Sequence, residues 1–201
     1  MKLLPTLFAG AALALSTVAA QAEVRFGVMN ESYPPFFAKD ASGEWQGWEI
    51  DLMNAVCAEM REQCSIVDIS WDGFIPALEN KKFDVIWSSM SNTAGRSKVI
   101  DFTDKYYNTP STLIGPKDRK PGATAEEVKG KTIGIQVSTI QSEYYKKYFA
   151  GAAEEKTYQT LDEAFQDLAS PRIDYVLGDS LALDALLKSD GGKDCCVSFG
   201  I

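Results

Sequence analysis

A two-lobed α/β fold, each lobe a mostly parallel sheet flanked by helices, is the class this sequence predicts. Three observations carry that reading. The first half alternates strand-like and helix-like patterns in the order βαβαβ, which calls for parallel strands joined by helical crossovers. The second half repeats the plan, since FIPALENKKFDVIWSS and LDEAFQDLASPRIDYVLGDS each run from helix through charged turn to Asp and a buried strand. The 201 residues are 45% hydrophobic and 24% charged, the balance of a globular chain.

Taken in order, Val24-Arg25-Phe26-Gly27-Val28-Met29 alternates apolar residues and reads as a strand, closed by the Tyr33-Pro34-Pro35-Phe36 loop. DASGEWQ, residues 40–46, reads as a hairpin turn. A helix follows over 50–59, with Ile50, Met53, Cys57 and Met60 on one face. Residues 64–69 form a second strand, 74–80 a short helix with Pro76 in its first turn, and 84–87 a third strand. In the second half 132–135 is a strand, 141–149 a helix, 164–169 a short helix and 175–177 a strand. Tyr106-Tyr107-Asn108-Thr109-Pro110 is the candidate hinge, and residues 117–124 form a polar surface loop. The lobes are expected at 23–107 and 111–201, with the hinge proper at 108–110.

Residues 1–22 read as a signal peptide. Lys2 precedes an apolar run over 3–18, and Ala20-Gln21-Ala22 is a small-x-small cleavage site, giving a mature start at Glu23. The formal charge of −8 argues against non-specific nucleic-acid binding, which needs clustered Lys and Arg. With no histidine, Ser-His and Cys-His nucleophile pairs and His-ligated zinc are excluded. Export lets thiols oxidise. Cys57 and Cys64, seven apart, are read as a local bridge rather than a metal site, because neither cysteine pair is a CxxC. For Cys195 and Cys196 a vicinal ring, two free thiols and an intermolecular bond all stay open.

Ligands of open α/β sheets bind beyond the carboxyl ends of the strands. The residues there are Asn30, Glu31 and Tyr33, then Trp71 and Asp72, then the hydroxyl-rich 88–96 stretch closed by Arg96. Gln136, Ser138 and Thr139, and finally Asp179, stand at the strand ends of the second half. A helix start plus one Arg suits a carboxylate, and a facing Asp suits an ammonium, so together they describe an amino-acid site. Each has a plainer reading: helix caps for the hydroxyls and Asp179, a solvated Arg96, core aromatics for Tyr33 and Trp71.

Seven segments in order, YPPF, GWEIDL, WDGFIPAL, FDVIWSSMSNTAGR, DFTDKYY, GIQVSTIQSEYY and RIDYVLGD, give the chain a family resemblance. From Val24 onward it resembles the periplasmic solute-binding proteins of polar amino-acid ABC transporters, nearest the lysine/arginine/ornithine- and histidine-binding branch. The resemblance implies a type II periplasmic-binding-protein-like fold, the Cys57–Cys64 disulfide, no cofactor, no metal and no catalytic residue. It implies a monomer that takes a polar or basic L-amino acid as its small-molecule ligand and delivers it to a membrane permease. Arg96, with Ser91 and Thr139, would hold the ligand carboxylate, and Asp179 with the Ser89 carbonyl the ammonium. Tyr33 and Trp71 would sandwich the side chain, while Ser88 and Gln136 line the distal pocket. Asn30 stands where basic-ligand binders carry an acid, with Glu31 beside it as a substitute, and Val137 and Ile140 replace the usual Gly and Gln. An acidic ligand is not expected, on the reading that no second Arg or Lys joins Arg96 in the matched motifs. The family adds a return strand and C-terminal helices after the second lobe, so a first lobe lacking that piece is expected here. A cyclohexadienyl-dehydratase-like lyase on the same scaffold, or a ligand-sensing domain, is the competing expectation.

Overall fold

The computed structural model describes residues 23–119 and 124–200. The segment read as a signal peptide and most of the KDRKPGAT loop's centre lie outside the described residues. In the first lobe, strand β1 (Glu23–Met29) leads through a small hairpin of β2 (Ala38–Lys39) and β3 (Trp45–Gln46) into helix α1 (Trp48–Met60). Strand β4 (Gln63–Ile69), helix α2 (Phe74–Glu79) and strand β5 (Val85–Ile86) follow, in sheet order β4-β1-β5. Both pairings in that sheet are parallel. By strict pairing β5 is shorter than the expected 84–87, although Asp84 N–H and Trp87 N–H still donate to Arg25 and Gly27 at 2.8 Å each.

Helix α1 follows the predicted stripe over Ile50, Met53 and Cys57, all buried, but Met60 is 42% exposed. Arg61 turns left-handed (φ 58°), and its N–H and that of Glu62 close on Ala58 and Cys57 carbonyls. The helix therefore ends with Met60 exposed in its last turn. Cys57 bonds Cys64, stapling the end of α1 to the start of β4. The start of α1 depends on Gly47, which has φ 125° and whose absent Cβ would lie 2.3 Å from the Phe36 carbonyl oxygen. That approach lets Glu49 N–H donate to Phe36 at 3.0 Å.

The second lobe comprises β6 (Ser111–Pro116), β7 (Thr132–Gln136), α3 (Ile140–Tyr148), β8 (Glu154–Tyr158), α4 (Leu161–Ala169), β9 (Tyr175–Asp179), α5 (Ser180–Lys188) and β10 (Cys196–Gly200). Its sheet runs β10-β6-β9-β7-β8, with β6 alone against the direction of the rest. Successive residues of one strand serve opposite faces: Ile114 and Val176 pack with Ala164 and Leu183, whereas Leu113 and Leu177 pack with Ile133 and Phe149. Strands β6, β8 and β10 and helix α5 are absent from the sequence reading. EEKTY in β8 has no apolar face because it forms a sheet edge. Cys195 and Cys196 are bonded to each other, just where β10 begins, which resolves the alternatives left open for them. No helix among the described residues is long and apolar enough to cross a membrane.

Replacing Cys57 and Cys64 by Ser is expected to lower stability by about 2–3 kcal/mol, the loop entropy of so short a closure. Denaturant unfolding of the double variant measures it, and an unchanged midpoint would contradict the role given to this bridge.

Candidate functional site

The carboxyl ends of β1, β4 and β5 meet those of β7 and β9 around a cavity of about 610 Å³. Tyr33, Trp71, Ser88, Ser89, Ser91 and Arg96 line it from the first lobe, and Gln136, Thr139 and Asp179 from the second. Residues 102–109, which cross between the sheets, form a further wall.

Arg96 is half-buried in this wall. Its Nη1 donates to the Ser91 carbonyl and its Nη2 to the Ser138 carbonyl, both at 2.8 Å, and its guanidinium lies 5.5 Å above the Trp71 ring. It has no carboxylate partner among the described residues, and burial pulls its pKa below the ordinary arginine value. Asp179 has the converse arrangement. Its Oδ1 accepts the N–H groups of Leu181 (3.0 Å) and Ala182 (3.3 Å), capping α5, and its Oδ2 accepts the Thr109 hydroxyl. No Lys or Arg pairs with it among the described residues. Thr139 likewise caps α3, accepting Ser142 N–H at 3.2 Å. The capping reading and the site reading thus hold together for Asp179 and Thr139. One wall offers an uncompensated cation and the other an uncompensated anion, a match for a zwitterion.

The profile of the bacterial extracellular solute-binding proteins, family 3, matches residues 24–172. This chain belongs to that family. An L-arginine-binding protein of Pseudomonas aeruginosa is 39% identical over 183 residues, spanning 90% of this chain and 70% of that protein. The lysine/arginine/ornithine-binding periplasmic protein of Escherichia coli is 36% identical over 192 residues, or 94% of this chain and 74% of its own. A solved ancestral arginine-binding protein bound to arginine superposes with a TM-score of 0.81 at 30% identity, covering 89% of this chain and 78% of that one. The fold is the type II solute-binding architecture expected from the motifs.

Within this family-3 chain, three expected site residues lie elsewhere. Asn30 is exposed and does not line the cavity; its N–H is held by the Ile69 carbonyl at 3.0 Å, extending the β1–β4 ladder. Ser138 contributes its carbonyl to Arg96 rather than a side chain to the wall. Glu31 lines a second cavity of about 340 Å³, which shares Met29, Tyr33 and Leu161 with the first. The Ser88 hydroxyl is already committed, accepting Met29 N–H at 2.8 Å. Gln136 donates to the Gln159 carbonyl at 2.9 Å and, more loosely, to Glu31 at 3.4 Å, linking the lobes.

Sequence reasoning passed over two contributors. Lys105, in the crossing segment, lines the cavity and is exposed, so the cavity carries a second cation after all. Glu49, fully buried, sits directly behind Ser89. An acid beside Ile50 and one helical turn before Met53 falls on the buried stripe of α1, and that misfit with periodicity was the available signal.

Burial, and then the nearby charges of Glu163 and Asp72, push the Glu31 carboxyl up to about 7. The folded chain then holds this proton more tightly than the unfolded one. Its contribution makes stability fall as pH rises from the ordinary carboxylate range through about 7. Carboxyl NMR should give Glu31 a midpoint near that value, lowered by Glu163→Gln, and Glu31→Gln should flatten the stability slope in that window. An ordinary carboxylate midpoint would contradict this environment.

Proposed function

We propose that the chain is the extracytoplasmic receptor of an ABC importer, binding a polar or basic L-amino acid between its lobes and passing it to a membrane permease. The observation that carries this reading is the pairing of an acid-free Arg96 with a base-free Asp179 across one cavity. Arg96, helped by Ser91 and Thr139 with their backbone N–H groups, takes the α-carboxylate. Asp179 and the Ser89 carbonyl take the α-ammonium. Tyr33 and Trp71 flank the side chain, whose far end meets Gln136, Ser88 and, through the adjoining cavity, Glu31. That the named relatives bind arginine, lysine and ornithine supports a basic ligand. Lys105 removes the compositional argument against an acidic one, so charge at the distal end is decided by Glu31 and the ring faces.

Residues 23–107 and 111–201 act as the lobes and 108–110 as the hinge, closing around the ligand. Cleavage after Ala22 delivers the monomer to the periplasm, and the chain binds its ligand without converting it.

Calorimetry with Arg, Lys, His, Gln, Glu and Asp, with product analysis alongside, tests the proposal. One-to-one binding of a basic or polar member, with the ligand recovered intact, is the expected result. Preference for Glu or Asp, or turnover of any candidate, would overturn it. Arg96→Ala should weaken binding by about two to three and a half decades, since an unpaired buried carboxylate costs roughly 3–5 kcal/mol. Near-native affinity in that variant would remove Arg96 from the site.

A further inference from the structure

We propose that Glu49 is a positioning residue for the ligand's amino group, holding Ser89 in a backbone conformation that reserves its carbonyl for the ligand. The inference rests on the amino-acid reading of the cavity and adds a residue that does not line it.

Glu49 lies in the first turn of α1 and is wholly buried. Its carboxylate accepts Ser89 N–H at 3.2 Å on Oε1 and Ser89 O–H at 2.9 Å on Oε2, and the Tyr106 hydroxyl also donates to Oε1. Both donors of this cavity-lining residue are therefore engaged by Glu49, and its carbonyl is the polar group left over. Ser89 stands at φ 55°, a left-handed conformation that a side-chain-bearing residue adopts only when its surroundings impose it. The two-point grip of Glu49 is what imposes it.

The same carboxylate reaches the crossing segment through Tyr106, whose ring stacks on Trp87 at 6.0 Å, and Trp87 Nε1 donates to the Glu49 carbonyl at 2.8 Å. The cavity wall after β5 and the chain between the lobes are thus pinned to one acid. The titratable groups facing Glu49 are Tyr33, Tyr106 and Tyr107, and no Lys or Arg bonds it among the described residues. Burial raises all three phenols, so they stay neutral, and Tyr106 is the one that donates to the carboxylate. Burial raises the Glu49 carboxyl too, against the pull of its hydrogen bonds. A carboxyl raised in this way favours the fold less as pH rises through its folded-state pKa. An acid buried there, with two of its three side-chain bonds directed at one left-handed serine, fits orientation of Ser89 as its role.

The test combines calorimetry with L-arginine and thermal unfolding at neutral pH, on the full chain and two variants. In Glu49→Gln the side chain can still accept but no longer receives three donors, and affinity should fall about tenfold or more, as for a lost bond to a charged group. Its melting temperature should not fall. Adding Ser89→Gly, which reaches positive φ without steric cost, should recover roughly threefold or more of the lost affinity. Four outcomes would each overturn the proposal: unchanged affinity in Glu49→Gln, a melting temperature that drops with affinity, failure of that variant to fold, or no recovery on adding Ser89→Gly. If the unmodified chain binds arginine, those outcomes leave the receptor reading standing; if it binds no L-amino acid, both readings fall.

Discussion

Strand direction is the constraint on which everything else depends. Parallel strands joined by crossovers deliver all their carboxyl ends to one edge of a sheet, and the loops leaving those ends turn into helix starts. Two such sheets set edge to edge enclose a cavity lined by backbone donors, caps and short polar side chains. The reversed strand β6 does not disturb this, because it carries the crossing segment into the sheet beside β9, where Ser111 pairs with Asp179. The crossing residues are thereby led past the same cavity.

Within that frame the site is built from charges the protein leaves unanswered. Arg96 is held by two carbonyl oxygens and Asp179 by two N–H groups and a hydroxyl, which orient each without neutralising it. Neutral hydrogen bonds can hold a sheltered ion in place, yet the Coulomb energy of a counter-ion stays available to a ligand. The helix caps at Thr139 and Asp179 serve both ends, fixing α3 and α5 while presenting polar groups to the cavity.

Left-handed Ser89 and Ser138 mark the places where the backbone itself has been turned to serve the site. Each is tied to a charged group: Ser89 through its donors to Glu49, Ser138 through its acceptor to Arg96. Local strain and sheltered charge compensate one another there, and nothing similar is needed in the hydrophobic layers around Val176 or Ile133.

The sequence alone determined the class, the order of the main elements, the Cys57–Cys64 bridge and most of the residues that meet in the cavity. The class and element order follow from periodicity, the bridge from its spacing strengthened by the family resemblance, and the site roles from that resemblance. It did not reveal β8, whose edge position relieves it of an apolar pattern, or β10, nor that Met60 stands exposed in the last turn before Arg61 reverses the chain. Tertiary structure alone decided that Asn30 lies outside the cavity, that Glu31 belongs to an adjoining cavity, and that Lys105 lines the site. The reason is physical: a strand or helix is written in neighbouring residues, whereas burial, charge compensation and the direction of a side chain are set by residues dozens of positions away.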